Sequence, residues 1–247
     1  MSARLAAAAV AVLALAGCAT PTPTPTDGLS GTITVFAAAS LTDSFHEIAD
    51  AFSDEHPGVD VVLNFGGSSG LATQIVEAAP ADVFAAASPA TMKTVTDAAL
   101  AQSDPVDFAS NVLEIAVAEG NPGGITGLKD FADPDTTIAL CAVEVPCGAA
   151  SATLFETAAI TPSVDTYEQD VKAVLTKVEL GEVDAGIVYV TDVRAAGGAI
   201  EGIPVESDPV RYPIAALSTK PAAAAFVAFV LSERGQGILQ AAGFGAP

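Results

Sequence analysis

Short β-branched runs alternate with amphipathic segments of helix length from residue 32 onward, and few folds satisfy such a pattern. Three runs, TITVFAA (32–38), VDVVLNF (59–65) and ADVFAAA (81–87), predict buried strands. A helical face separates the first two, with apolar residues at Phe45, Ile48, Ala49 and Phe52. The order strand–helix–strand–helix–strand predicts an α/β fold with parallel strands.

A second series of elements follows. Further strands are predicted at 112–118, 137–141, 184–190, 200–205 and 211–217, and further helices at 89–100, 148–159, 169–180, 220–232 and 233–242. Two such units predict two lobes, each a mostly parallel sheet flanked by helices. We place lobe 1 at residues 31–110 plus 211–247 and lobe 2 at 111–210. Because ligands of open α/β sheets bind beyond the carboxyl ends of the strands, we expect the site in a cleft between the lobes.

The first thirty residues have the composition of a targeting segment and a tether. Arg4 precedes an apolar run at 5–16 that is too short to span a bilayer comfortably, which predicts a signal peptide at 1–17. The run ends in LAGC, which resembles the lipobox of bacterial lipoproteins with Cys18 as the lipidated residue. An ordinary cleaved signal with an incidental cysteine is the alternative. With the Pro/Thr-rich linker at 18–30, this predicts a lipid-anchored domain on the extracytoplasmic face of the cell membrane.

The net charge of −21, from 9 Lys and Arg against 30 Asp and Glu, argues against two classes of partner. So acidic a surface repels nucleic acid and anionic membrane, so we expect membrane contact through the lipid anchor only. Any bound anion must be held by local dipoles and hydrogen bonds rather than by bulk charge.

Two cysteines remain after Cys18. Cys141 and Cys147 lie close together in LCAVEVPCGAAS, and in an exported protein such a pair usually forms a disulfide. A metal site is the alternative, but no His follows position 56 in the sequence to join the two sulfurs. We therefore expect a disulfide.

The stretch NFGGSSGL contains G-x-S-x-G, the pattern of a nucleophile elbow centred on Ser68. In α/β-hydrolases the catalytic His follows the serine along the chain, whereas both histidines here, His46 and His56, precede it. A serine hydrolase using Ser68 is thus an alternative without an evident base. We expect that the chain is not an enzyme.

Ser68 has a counterpart in Ser40, because each follows a predicted strand and precedes a predicted helix. Each offers a hydroxyl and an amide at the positive end of a helix dipole. Gly66, Gly67 and Gly70 let the backbone approach a ligand closely. Either serine alone is well explained as an N-cap. The two together, at neighbouring strand ends, predict an anion site.

Four segments resemble, in order and in spacing, the signature segments of the molybdate-binding proteins of ABC importers. They are ITVFAAASLTDSF, FGGSSGLATQI with APADVFAAAS after it, VPCGAAS, and GEVDAGIVYVTD, and the similarity runs from about residue 32 to residue 247. The resemblance implies a type II periplasmic-binding-protein fold that closes two lobes on a tetrahedral oxyanion. It also implies a receptor that delivers molybdate, and tungstate as well, to the membrane subunits of an importer.

The resemblance further implies which residues contact the oxyanion. The hydroxyls and amides of the two serines, two helix-start amides and one phenol would do so, at Ser40, Ser68, Cys147, Val171 and Tyr189. These residues are hydrogen-bond contacts to molybdate, with no direct metal ligand and no cofactor among them. Cys147 departs from the family, where a small residue such as alanine is expected, but only its amide is needed.

Structural roles are the alternatives for some of these residues. The side chain of Val171 fits the apolar stripe of its predicted helix, and Tyr189 at a strand end could be a core tyrosine. Glu168 and Asp170 lie at the start of the same helix, and we expect them to cap it rather than to contact a ligand.

A site of hydroxyls and amides without Lys or Arg is a set of donors, which suits an oxyanion that carries no proton. Molybdate, tungstate and sulfate meet this condition at neutral pH, whereas monohydrogen phosphate carries a proton that needs an acceptor. Sulfate, or another small oxyanion, is the alternative ligand. We expect the receptor to be a monomer.

Overall fold

The computed structural model describes residues 28–247. The predicted signal peptide at 1–17, Cys18 and most of the linker lie outside the described residues, and their assignments stay predictions.

Ten strands form in the described residues. They are β1 (Gly31–Ala38), β2 (Val59–Gly66), β3 (Val83–Ala85), β4 (Val106–Asn111), β5 (Leu113–Ala118), β6 (Ile138–Cys141), β7 (Thr166–Glu168), β8 (Ala185–Tyr189), β9 (Ile200–Pro204) and β10 (Val210–Ala216). The α-helices of the same residues are α1 (Thr42–Glu55), α2 (Ser68–Val76), α3 (Pro89–Asp97), α4 (Pro146–Thr157), α5 (Val171–Glu179), α6 (Val190–Ala196), α7 (Pro221–Val230) and α8 (Glu233–Ala242).

The strands make two five-stranded sheets, in the orders β2-β1-β3-β10-β4 and β7-β6-β8-β5-β9. The α/β class and the two-sheet architecture are therefore confirmed. Each sheet has four strands in one direction and one reversed strand, β10 in the first sheet and β5 in the second, so both are mixed sheets in which most strands are parallel, as expected. In each sheet the reversed strand is the first that the chain forms after it crosses from the other sheet. No helix leads back across the sheet before it, as a parallel strand would require.

We call the part built on the first sheet lobe 1 and the part built on the second lobe 2. The chain crosses between Asn111 and Leu113 and returns between Pro204 and Val210. Each lobe has an apolar core of its own. The prediction that residues 31–110 plus 211–247 form one structural unit and residues 111–210 another stays a prediction.

Three elements were not predicted from the sequence: β4, β7 and α6. The strand β7 is only three residues long, and α6 follows β8 without a turn residue that would separate the two. Helix α4 begins at Pro146, two residues earlier than predicted, because proline is favoured in the first turn of a helix. This start places Cys147 in the first turn.

Within residues 28–247, no single helix is long and apolar enough to cross a membrane. Only α7 and α8 taken together reach that length and composition, and the pair is bent by 55°.

Candidate functional site

A small cavity lies between the two lobes, where the carboxyl ends of parallel strands in both sheets meet helix N-termini. Its volume is about 20 Å³, far below the roughly 300–1,000 Å³ of pockets for drug-sized ligands. Its lining includes all five predicted contact residues, Ser40, Ser68, Cys147, Val171 and Tyr189. A larger depression of about 450 Å³ beside the segment that returns to lobe 1 is lined by none of these five. The small cavity is therefore the candidate site.

Strand register brings the two serines together on the lobe 1 side. In the parallel pair β1 and β2, Ala38 lies opposite Gly66, and each serine stands two residues beyond its strand residue. Ser40 occupies a 3-10 turn (Ala39–Leu41) that leads into α1, and Ser68 is the first residue of α2. The sequence prediction that neighbouring strand ends would place both serines at one edge of the sheet thus matches the geometry.

The Ser68 hydroxyl is held with its proton free to be donated. Its Oγ accepts a hydrogen bond of 3.0 Å from the Ala87 amide, and the side chain is buried. His46, one of the two histidines upstream of Ser68, is exposed and packs against Phe65, with ring centroids 5.3 Å apart. In the described residues Ser68 thus has the setting of a donor and not the His-paired setting of a hydrolase nucleophile.

The Ser40 hydroxyl has a partner that the sequence did not reveal. Its Oγ lies 2.9 Å from the Tyr212 hydroxyl, and both residues are buried. Tyr212 was predicted only as part of a strand, because no local pattern connects two residues that are 172 positions apart.

On the lobe 2 side, Cys147 lies in the first turn of α4 and Val171 is the first residue of α5. The first amides of a helix have no partner within the helix, so both residues can offer an N–H to the cavity. Both side chains belong to the core of lobe 2, which leaves the main chain for contact. The structural and the binding roles considered for Val171 are therefore compatible.

The cap of α5 is Asp170, whose Oδ1 accepts a hydrogen bond of 3.0 Å from the Ala173 amide. The expectation that Glu168 also caps this helix is wrong. Glu168 ends β7, where its carboxylate accepts from the Thr166 hydroxyl and lies 3.7 Å from Lys177 Nζ, because the chain is still extended at this position. Among the described residues Asp170 is the one carboxylate on the cavity lining, and its hydrogen bond to the helix start offsets part of its charge.

Tyr189 ends β8, and its side chain is only 1% exposed. Its hydroxyl is buried and forms no hydrogen bond of normal geometry to another described residue, although it interacts electrostatically with the neighbouring Tyr212 hydroxyl. Burial raises the pKa of this phenol well above its usual value, so the group is a protonated donor at physiological pH. An unpaired buried donor costs about 1–3 kcal/mol. An unpaired phenol at the wall of a cavity therefore indicates that a bound ligand supplies the missing hydrogen-bond acceptor.

Helix N-termini and hydroxyls supply the favourable electrostatics here. No Lys or Arg is found among the described residues that line the cavity, whereas the starts of α2, α4 and α5 meet there. Such an arrangement binds an anion through hydrogen bonds and helix dipoles.

Contacts between the lobes close the site. Lys172 of α5 pairs with Asp43 of α1 at 2.9 Å, and the Ser69 hydroxyl of α2 donates to the Glu144 carbonyl of lobe 2. Ala39 of lobe 1 packs into the core of lobe 2. The two lobes are therefore in contact around the cavity.

A disulfide joins Cys141, at the end of β6, to Cys147, with the Cα atoms 5.7 Å apart. It links a strand end to the helix start that lines the cavity.

We expect that replacing both cysteines, as Cys141→Ala with Cys147→Ala, lowers the free energy of unfolding by roughly 2 kcal/mol, because the bond limits the freedom of the unfolded chain. Urea denaturation of residues 28–247 measures this change. Wild type in dithiothreitol should shift by a similar amount, which separates the bond from the loss of side-chain volume. An unchanged midpoint in both experiments would contradict a stabilising role for the bond.

Asp192 lies behind the site, fully buried in the first turn of α6. Its Oδ2 accepts from the Tyr189 amide at 3.1 Å, and Lys172 Nζ lies 3.6 Å from its Oδ1. Burial raises the pKa of Asp192 to about 6, against the lowering effect of the Lys172 ammonium. The folded state therefore holds this proton more tightly than the unfolded state does.

We expect this group to destabilise the fold as the pH rises from about 4 to about 6, because the unfolded carboxyl loses its proton before the folded one does. The Asp192→Asn variant should lack that part of the pH dependence. Its free energy of unfolding should exceed that of wild type by up to about 3 kcal/mol at pH 7, and the difference should vanish below about pH 3. Urea denaturation across this pH range measures the difference, and parallel curves for the two proteins would contradict the assignment.

Comparisons with known proteins agree with this fold. A family model for bacterial extracellular solute-binding proteins matches residues 33–245. The molybdate-binding protein ModA of Mycobacterium tuberculosis (strain ATCC 25618 / H37Rv) is 39% identical over 222 residues, which cover 87% of this chain and 85% of that protein. The periplasmic molybdate-binding protein of Azotobacter vinelandii has a similar structure, with a TM-score of 0.76, 19% identity, and coverage of 87% of this chain and 99% of that one. The sulfate-binding protein SubI of Mycobacterium tuberculosis H37Rv gives a TM-score of 0.74 at 19% identity over 86% of each chain.

Proposed function

The chain belongs to the bacterial extracellular solute-binding proteins and, within them, to the molybdate-binding proteins of ABC importers, and we propose that it captures molybdate between its two lobes. The bound anion would accept hydrogen bonds from the hydroxyls of Ser40, Ser68 and Tyr189 and from the amides of the two serines, Cys147 and Val171. This role requires binding and release, with no chemical change to the ligand.

One observation carries the proposal most strongly: the buried Tyr189 hydroxyl forms no hydrogen bond of normal geometry to another described residue, yet it lines a cavity edged by the starts of three helices. An oxyanion oxygen supplies the acceptor that this phenol lacks. The volume of about 20 Å³, on the order of one or two waters, leaves no room for an extended organic acid between the closed lobes.

The donor set favours an anion without protons. Molybdate and tungstate have the same charge and shape, so we propose that both bind. Sulfate has the same charge but is smaller, so we expect it to leave at least one donor unpaired, which weakens binding.

The proposed receptor works outside the cytoplasmic membrane. The LAGC sequence supports a lipid anchor at Cys18, and the acidic surface supports contact with the membrane through that anchor only. Loaded and closed, a monomeric receptor would present both lobes to the membrane subunits of an ABC importer, which then take up the anion.

Isothermal titration of residues 28–247 with molybdate, tungstate, sulfate and phosphate in parallel tests the proposal. We expect one-to-one binding of molybdate and tungstate, with sulfate and phosphate at least about 100-fold weaker, because one or two unpaired donors cost this much. Equal binding of sulfate would preserve the oxyanion site but contradict molybdate as the ligand. No heat from any of the four would contradict the site itself.

A further inference from the structure

We infer that Tyr212 is a positioning residue of the proposed molybdate site, which acts by making Ser40 a donor toward the anion. This inference rests on the proposed function, because it concerns how one of the proposed donors is oriented.

The contact is short and enclosed. The Tyr212 hydroxyl lies 2.9 Å from Ser40 Oγ, and Tyr212 is fully buried in β10. Its ring packs edge-on against Phe244 and Tyr189, with centroids 5.5 Å and 6.1 Å apart. These contacts hold the phenol in place, and burial raises its pKa well above the usual value, so the proton stays on the hydroxyl.

A count of protons fixes the direction of the bond when an anion is present. Each hydroxyl has one proton, and an oxyanion oxygen can only accept. If Ser40 donates its proton to the anion, its Oγ is left to accept, and the Tyr212 hydroxyl is the group within reach that donates. If Ser40 instead donated to Tyr212, the cavity would lose one donor and gain a lone pair that repels the anion.

The two tyrosines at the site therefore have different roles. Tyr189 lines the cavity and would contact the anion directly, whereas Tyr212 is absent from the lining and would act through Ser40. The role of Tyr212 predicts energetic coupling to Ser40. The effect of Tyr212 should depend on the Ser40 hydroxyl, whereas the effect of Ser68, which accepts from the Ala87 amide outside this contact, should not.

A double-mutant cycle on residues 28–247, with molybdate affinity measured by titration calorimetry, tests this directly. Tyr212→Phe alone should weaken binding roughly tenfold, since it removes one hydrogen bond to a group that contacts a charge. In a Ser40→Ala background the same change should have an effect of less than about twofold. Ser68→Ala is the control, because its hydroxyl is held by the Ala87 amide and not by Tyr212, and its loss of affinity should be similar in both backgrounds.

Three results would overturn the inference. Tyr212→Phe could bind molybdate as tightly as wild type, or it could weaken binding equally with and without the Ser40 hydroxyl, which would indicate an independent effect on the fold. Wild type that takes up no molybdate would contradict the proposed function, and the inference with it. Thermal melting of each ligand-free variant shows whether a loss of affinity comes with a loss of structure.

Discussion

Gly67→Ala is expected to weaken molybdate binding by at least about 100-fold while the ligand-free protein stays folded. A Cβ at this position would lie 2.2 Å from the Gln169 carbonyl oxygen and 3.2 Å from Val145 Cγ1, both in lobe 2. Gly67 itself belongs to lobe 1, with φ −60° and ψ 126°, a conformation open to any residue. The clash therefore arises only where the lobes meet. If the lobes are held apart, the anion loses its hydrogen bonds to the lobe 2 donors. Each hydrogen bond to an anion contributes about 1.5–3 kcal/mol of binding free energy.

Gly70→Ala is the matched control: contrary to the expectation from sequence, Gly70 lies outside the cavity lining, inside α2, and a Cβ there meets no atom within 4 Å. It should bind molybdate as wild type does and gain about 0.5–1 kcal/mol of stability. Titration calorimetry and small-angle scattering with saturating molybdate separate the two variants, since only Gly67→Ala should fail to compact. A Gly67→Ala protein with wild-type affinity would show that binding does not require this approach of the lobes.

Ser68→Ala is expected to weaken molybdate binding by about 10- to 100-fold, the range for a lost hydrogen bond to a charged group. The hydroxyl accepts from the Ala87 amide and keeps its proton for the anion. Alanine removes the donor and leaves that buried amide without its acceptor. Because this second loss is present with and without ligand, it should lower the melting temperature of the ligand-free protein as well.

Thr73→Ala, on the exposed surface of the same helix, serves as the control for Ser68→Ala. Its hydroxyl bonds only to the Ser69 carbonyl of α2 in the described contacts, so the molybdate affinity of the variant should equal that of wild type.

The hydrolase alternative for Ser68 can be tested on the same proteins, because a nucleophilic serine would be labelled by a fluorophosphonate probe. Stoichiometric labelling of Ser68 would contradict its assignment as a donor.

Much of the fold could be predicted because the signal is local. The alternation of β-branched runs with helical spacing fixed the order of β1, α1, β2, α2 and β3, and the apolar residues Phe45, Ile48 and Phe52 are fully buried as expected. The position of the serines also follows from local order, since residues just after adjacent parallel strands must meet at one edge of a sheet. Strand β7 was missed because its three residues form no apolar run, whereas the equally short β3 lies within the apolar run ADVFAAA.

The parts of the site that were missed depend on contacts between distant segments. Tyr212 reaches Ser40 across 172 positions, and Gly67 approaches Gln169 only when the two lobes meet. Asp192 was not identified for the same reason, because its burial and its neighbour Lys172 are properties of the packed lobes. The sequence contains these residues but no local pattern that links them.

A crystal structure of residues 28–247 with molybdate, with anomalous data collected at the molybdenum absorption edge, tests the central claim most directly. We expect one molybdenum peak in the cavity, with oxygens about 2.7–3.1 Å from the hydroxyls of Ser40, Ser68 and Tyr189 and from the amides of Cys147 and Val171. A peak elsewhere on the protein, or no peak at saturating molybdate, would contradict the account.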